Sequence, residues 1–305
     1  MNQIEYRLHV KDGYFLGKEN LNIYYREYIV ENNKASIVIS HGVCESAEKY
    51  RELIKILNKN EFSVYILEHR GHGRSSRLGI DNSQIDVEKF EYYVDDLKTF
   101  IDEIVLLNNN KKLFLFSHSM GGAIASMFLE KYNNYFDCAV LNSPMMEINT
   151  GKYPAWFSKI FSRLLCVFGQ GNRYLFGHKP FTGEVNLEAS GTSSYKRYIR
   201  YLNRQIEFKE LQTYGQSFHW LDEAFKAVRY ITDEKNARNV TIPVLLFQAG
   251  KDTFVKSGGQ NKFASYAKNC KVIVYNESKH EIYLERDEIF DRYITEVLEF
   301  YNSNI

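Results

Sequence analysis

The sequence predicts an α/β protein: a mostly parallel, doubly wound sheet with a helical cap inserted into it. Three observations point there. Six short runs rich in branched aliphatic residues recur along the chain, without the polar–apolar alternation of half-exposed strands. Longer stretches with helical spacing separate them. One late interval of about 100 residues carries mostly helical pattern, too long for a connection inside a compact sheet.

The expected strands lie at 37–39, 64–67, 113–116, 139–141, 244–247 and 272–275, and the expected helices at 48–58, 87–107, 120–131, 259–268 and 287–301. Strands buried on both faces read as continuous apolar runs, and right-handed crossovers place functional loops at their carboxyl ends. The interval breaking this rhythm divides the chain into a core of 1–145 and 231–305 and a cap of 146–230, which holds both Trp156 and Trp220.

The 305 residues suffice for a sizeable core, and the composition, 44% hydrophobic and 25% charged, is that of a globular protein. A net charge of +1 gives no global pull towards nucleic acid or an anionic membrane. The segment 1–10 alternates polar and apolar residues, which is not the pattern of a secretory signal, and no stretch approaches the length of a membrane span. Cys44, Cys138, Cys166 and Cys270 are scattered, form no C-x-x-C pair and read as free thiols in a reducing cytoplasm.

The strongest chemical signal is Ser117-His118-Ser119-Met120-Gly121-Gly122. A buried-strand run precedes it and a helical pattern (Met120, Ala123, Ile124, Met127, Phe128) follows it. That is the strand–turn–helix setting of a G-x-S-x-G elbow. The turn demands small residues two before and two after the serine; Gly121 satisfies this, and Ser117 stands where glycine is usual. Ser119 is therefore the candidate nucleophile, at a helix N-terminus that favours developing negative charge.

A serine hydroxyl needs a base, and the base an orienting acid. On such a sheet they follow in the order serine, acid, histidine. Asp252 lies in the loop after the fifth expected strand, and His280 after the last. Either alone would read as a turn aspartate or a surface histidine; together, in order, they read as a triad. An oxyanion needs two backbone donors. The Met120 amide is one, and the loop Ser40-His41-Gly42-Val43-Cys44-Glu45-Ser46 supplies the Val43 amide as the other, with Gly42 permitting the turn and His41 in a structural role. His69 and His72 flank glycines in an irregular loop, a poor setting for a metal pair.

Together these motifs resemble the monoacylglycerol lipase and lysophospholipase branch of the α/β-hydrolases. His41-Gly42 with Glu45-Ser46 and Tyr50-Arg51 is similar to its oxyanion segment. Glu68-His69-Arg70-Gly71-His72-Gly73-Arg74-Ser75 resembles its D-x-R-G-x-G-x-S loop, with Glu68 in place of the leading aspartate. The cap segments 195–203 and 216–223, and His280-Glu281-Ile282 with Glu285, are similar to bacterial lysophospholipases of the inner-membrane type.

The resemblance implies an α/β-hydrolase fold and ester hydrolysis by Ser119, Asp252 and His280, with Val43 and Met120 as oxyanion donors and no cofactor. It also implies a lysophospholipid or monoacylglycerol as substrate. Rival expectations are a short-chain carboxylesterase, an aminopeptidase-like amidase, or a non-catalytic receptor on the same fold.

Within the cap, Tyr153, Trp156, Phe157, Ile160, Phe161, Leu164, Leu165 and Phe168 fall at helical spacing, with Lys152, Lys159 and Arg163 between them. Residue by residue, packing onto the core is the first expectation; an acyl tunnel, or peripheral contact with the inner face of a membrane, is the second. The basic stretch 195–204 reads as a solvated helix face rather than a nucleic-acid surface, with Arg197 and Arg200 as a conceivable phosphate-binding side.

Overall fold

A computed structural model describes residues 8–109 and 111–305, so most of the alternating segment 1–10 lies outside the described residues. The strands are β1 (Leu8–Leu16), β2 (Asn22–Val30), β3 (Ala35–Ser40), β4 (Phe62–Leu67), β5 (Leu113–His118), β6 (Cys138–Asn142), β7 (Val244–Ala249) and β8 (Cys270–Tyr275). The helices are α1 (Arg51–Lys59), α2 (Glu91–Phe100), α3 (Leu106–Asn108), α4 (Met120–Lys131), α5 (Ala155–Val167), α6 (Tyr195–Glu207), α7 (Phe218–Ile231), α8 (Glu234–Ala237), α9 (Ser257–Tyr266) and α10 (Asp287–Asn302). The strands form one sheet in the order β1-β2-β4-β3-β5-β6-β7-β8. β2 runs antiparallel to both its neighbours, and every other pairing is parallel.

The six expected strands are all present. Every residue of β3, β4, β5 and β6 is buried, so their side chains feed both faces of the sheet. Val38 and Leu115 join one core with Val94 and Leu97 of α2, Ala123 of α4, Ala224 of α7 and Phe263 of α9. Their neighbours Ile37, Ile39, Phe114 and Phe116 join the other, with Leu53 and Leu57 of α1 and Tyr293 and Val297 of α10. Each such fully buried apolar side chain contributes about 2 kcal/mol of hydrophobic stabilisation before ordering costs are subtracted.

Two elements depart from expectation. The hairpin β1–β2 lies outside the six expected strands: β1 is almost wholly exposed, and Arg26 and Glu27 interrupt the apolar residues of β2. The helix expected over 87–107 begins only at Glu91, where the Phe90 N–H donates to Glu223 of α7 at 2.9 Å. It then passes through a π turn at Ile101–Val105 into α3.

The interval between β6 and β7 holds α5, α6, α7 and α8. α7 joins the two levels: Phe218, Trp220 and Leu221 at its start face a large cavity, whereas Ala224, Ala227 and Ile231 pack in the core. α5 contradicts the packing expected of its residues. Ser162 is its only buried residue, and Trp156 (66% exposed), Ile160 and Leu164 lie open, as does Phe168 (72%) just beyond it.

Candidate active site

The loops leaving the carboxyl ends of β3, β5, β7 and β8 carry Val43, Ser119, Asp252 and His280 respectively, so all the expected site residues leave one edge of the sheet. Ser119 is the single residue between β5 and α4, at φ 54° and ψ −119°. A non-glycine residue there costs on the order of 1–3 kcal/mol and persists only when its surroundings hold it. They do: its N–H donates to the Asn142 carbonyl at 3.0 Å, and its carbonyl accepts from Ala123 at 3.2 Å and Met145 at 2.9 Å. Gly121 is obligatory, since a Cβ would lie 2.1 Å from the Ser40 carbonyl oxygen. Ser117 is fully buried, its hydroxyl 3.4 Å from the Val140 carbonyl, so the turn accepts it in place of glycine.

His280 Nδ1 lies 2.6 Å from Asp252 Oδ2. The other oxygen, Oδ1, accepts from the Phe254 and Val255 amides at 2.8 and 3.0 Å. Burial pushes the Asp252 carboxyl up, but the adjacent imidazole and these two amides outweigh it and hold the group below its usual range. With Nδ1–H given to the carboxylate, Nε2 of the neutral ring is the free base. The two loops meet through Gly250 N–H to Tyr275 O and Lys251 N–H to Ser278 O, both at 2.9 Å. A Cβ on Gly250 would lie 2.6 Å from the Asn276 Cα, so this approach requires glycine.

Ser119 and His280 line the same cavity, without a direct hydrogen bond between them. Met120 opens α4, so its N–H has no partner within the helix. The Val43 N–H donates to no group among the described residues. His41 is structural, as expected: Nε2 accepts from the His69 amide at 2.9 Å, which leaves the proton on Nδ1 for the Gly42 carbonyl at 2.7 Å.

The cavity encloses about 590 Å³, within the range of small-molecule sites. Two groups of side chains dominate its wall. Phe161, Phe176 and Phe218 are in mutual ring contact, and Phe157 stacks on Phe161. Lys49, Glu281 and Tyr201 form the second group, with Lys49 Nζ 2.6 Å from Glu281 and 5.3 Å from the centre of the Tyr201 ring. The wall is thus apolar in one part and ionic in another.

The Hydrolase_4 family (serine aminopeptidase, S33) matches residues 31–287. The chain belongs to this family. Among similar proteins of this α/β-hydrolase are a probable lysophospholipase L2 of Haemophilus influenzae, 28% identical over 95% of this chain and 91% of that one, and lysophospholipase L2 of Escherichia coli, 27% identical over 95% and 87%. A mouse monoglyceride lipase is 34% identical, but over only 38% of this chain and 37% of its own. The fold is shared with a yeast monoglyceride lipase bound to a substrate analogue, at TM-score 0.74 and 17% identity over 98% and 97% of the two chains. A Bacillus coagulans carboxyl esterase matches at TM-score 0.74 and 17% identity, over 97% and 99%.

In this hydrolase the basic face of α6 is only partly solvated: Lys196 and Arg200 are exposed, as expected, but Arg197 is not. Arg197 is buried and meets both oxygens of Glu52 at 2.9 Å, the Glu285 carbonyl at 2.6 Å and Asp287 at 2.7 Å. Arg200 also pairs with Glu52, and Arg204 reaches Glu48 at 3.3 Å. The arginines that sequence suggested for a phosphate therefore clamp α6 to α1 and the turn before it.

Two further features were legible only in part. Glu68, which stands where the similar loop has aspartate, accepts from the Ala47 amide at 3.1 Å and the Arg74 amide at 2.5 Å, closing that loop onto the oxyanion segment. His41, His69 and His72 form a buried cluster of tilted and edge-on rings, with centres 4.6 and 5.2 Å from His41. Burial pushes all three down, His41 to about 4, which keeps them neutral.

Proposed function

We propose that this enzyme hydrolyses the carboxylic ester of a single-chain lipid, a lysophospholipid or a monoacylglycerol, through an acyl-enzyme on Ser119. The observation that carries this reading is the Asp252–His280 hydrogen bond at a cavity whose wall is part aromatic and part ionic. The aromatic part suits an acyl chain and the ionic part a polar head group. The lysophospholipase relatives along most of the chain support the same substrate class.

His280 Nε2 takes the Ser119 proton as Oγ attacks the ester carbonyl. Asp252 holds the ring and stabilises its cationic form. The Val43 and Met120 amides receive the oxyanion. As the tetrahedral species collapses, the C–O bond to the alcohol breaks and His280 hands its proton to the leaving oxygen. Water, deprotonated by His280, then attacks the acyl-enzyme; the fatty acid leaves and Ser119 regains its proton.

We take 146–230 as the cap over this site. Trp156, Ile160, Leu164 and Phe168, flanked by Lys152 and Lys159, are its contact with the membrane that supplies the lipid. Among the described residues no helix is long and apolar enough to cross a membrane. Four free cysteines fit a cytoplasmic setting at the inner face.

The test is fatty-acid release from lysophospholipids, monoacylglycerols, short-chain esters and aminoacyl amides, each beside Ser119→Ala. Release from single-chain lipids that disappears in the variant is the expected result. Preference for short esters or amides would overturn the lipid reading and leave the mechanism. A folded protein that neither turns over any substrate nor takes a fluorophosphonate label would be a receptor.

A further inference from the structure

The mechanism uses the oxyanion loop after β3 and the histidine loop after β8, and both converge on one buried carboxylate that the mechanism leaves idle. Glu45 is 2% exposed and accepts from five donors. Oε2 receives the Gly42 amide and the Tyr50 hydroxyl, both at 2.6 Å. Oε1 faces Lys49 Nζ at 2.9 Å, the Tyr283 hydroxyl at 3.0 Å and His118 Nδ1 at 3.1 Å. A carboxylate offers about four lone-pair directions, so Glu45 is saturated. Burial pushes its carboxyl up, but Lys49, His118 and Tyr50 prevail and hold it well below the ordinary range.

The donors are not scattered. Gly42 immediately precedes Val43, the proposed oxyanion donor. His118 immediately precedes Ser119, and its Nε2 lies 3.3 Å from the carbonyl oxygen of His280. Tyr283 lies three residues beyond His280, and its ring is 5.0 Å from that of His118. Lys49 also binds Glu281, the residue after His280, at 2.6 Å. Three routes therefore run from Glu45 to the segment carrying the base, and a fourth to the oxyanion loop. No other carboxylate among the described residues touches both.

We propose that Glu45 is a positioning residue for catalysis, fixing the distance between the oxyanion donor of Val43 and the imidazole of His280. It reaches the cavity wall but bonds to no member of the Ser119–Asp252–His280 set; it acts through Gly42, His118 and Tyr283. A carboxylate is suited to this task because it accepts in several directions and donates in none. An amide of the same shape would turn an N–H₂ towards some of these donors. Displacements on the order of 1 Å at a reacting group cost roughly 100-fold in rate, so loosening this hub acts on kcat and leaves binding in the aromatic wall intact. The proposal rests on the serine-hydrolase reading above.

The experiment measures kcat and KM on a soluble chromogenic ester, the rate of fluorophosphonate labelling and the melting temperature, for wild type, Ser119→Ala, Glu45→Gln, His118→Ala and the double variant. Glu45→Gln is expected to melt cooperatively, lose roughly 30-fold or more in kcat and in labelling rate, and keep KM within about twofold. Because Glu45 acts partly through His118, the double variant is expected to lose far less than the product of the single losses. A folded Glu45→Gln with kcat within about threefold of wild type, or losses that multiply in full, would overturn the proposal.

Should Glu45→Gln fail to fold, His118→Gln and Tyr283→Phe each remove one arm. A fall in kcat at constant KM supports the hub, and full kcat in both removes it. Wild type that neither labels nor turns over would overturn the serine reading and this proposal with it. Wild type that labels at Ser119 beside an unaffected Glu45 variant overturns this proposal alone.

Discussion

The floor of the cavity and its roof are built on opposite terms. On the floor, Ser119 sits at a strained φ of 54° yet has its backbone held by three hydrogen bonds, and Asp252 and His280 arrive on loops stitched by paired amides. In the roof, α5 buries one residue and leaves Trp156, Ile160 and Leu164 to solvent. α6, which also lines the cavity, is clamped by Arg197, Arg200 and Arg204. The floor spends many polar contacts to hold a few atoms still. α5 spends few, and presents a surface instead. The proposed reaction chemistry and the proposed substrate delivery thus fall in parts of one chain with different packing.

The sharpest break in this comparison is Ser119→Ala. It is expected to cut kcat by roughly 10⁴- to 10⁶-fold with the melting temperature preserved; a smaller loss in a folded variant would place the nucleophile elsewhere. Asp252→Asn keeps the shape but presents an N–H₂ to the ring, and is expected to cost roughly 10³- to 10⁴-fold. Melting curves for both, with active-site titration of Asp252→Asn, separate lost chemistry from lost protein.

Acid should attack the floor first. The neutral ring of His41, in the oxyanion loop, touches those of His69 and His72, and burial holds all three below the ordinary value of 6.5. The unfolded chain takes up these protons at higher pH than the folded one. Stability is therefore complete above about pH 6.5 and falls as the pH drops towards the folded value, about 4 for His41. His41 alone contributes roughly 3 kcal/mol to that loss. Denaturant melts from pH 7 to pH 4 should show it, and a flat profile would contradict it.

The smaller effects belong to the roof. Arg197→Met leaves Glu52 and Asp287 without their main partner; both are partly solvated, so a loss of about 2 kcal/mol in chemical denaturation is expected. Trp156→Ala with Phe168→Ala is expected to weaken association with lipid vesicles about tenfold while turnover of a soluble ester holds steady. Equal vesicle binding would deny α5 its proposed role.

The same contrast governs what could be read from the sequence. β3 to β8 announced themselves because both their faces are apolar, and the elbow because a tight strand-to-helix turn restricts residues 117 and 121. Asp252 and His280 followed from position after strands already placed. β1 stayed hidden because a mostly exposed edge strand needs few apolar residues, and β2 because Arg26 and Glu27 interrupt its apolar positions.

Tertiary partners explain the other surprises. Arg197 looked solvated because nothing local indicates that Glu52 and Asp287, both distant in sequence, close on it. Glu45 appeared only as a letter in a motif; its five donors come from segments spanning 42 to 283. α5 was misjudged in the opposite direction, since helical spacing of apolar residues does not say which surface they meet.

The placement of the cap carries a lesson for engineering. β6 and β7 are adjacent and parallel, with Ala139 opposite Val244, so the whole interval between them is one crossover connection. Its ends are pinned by the sheet, and α7 seals the far side against the core. Doubling the length of a flexible connection costs only about 0.6 kcal/mol. We propose that the part of the 146–230 cap before α7 is a module, open to exchange for caps of other linings that keep the pairing of Arg197 with Glu52, whereas a single residue inserted at Gly250 is expected to part the acid from its histidine.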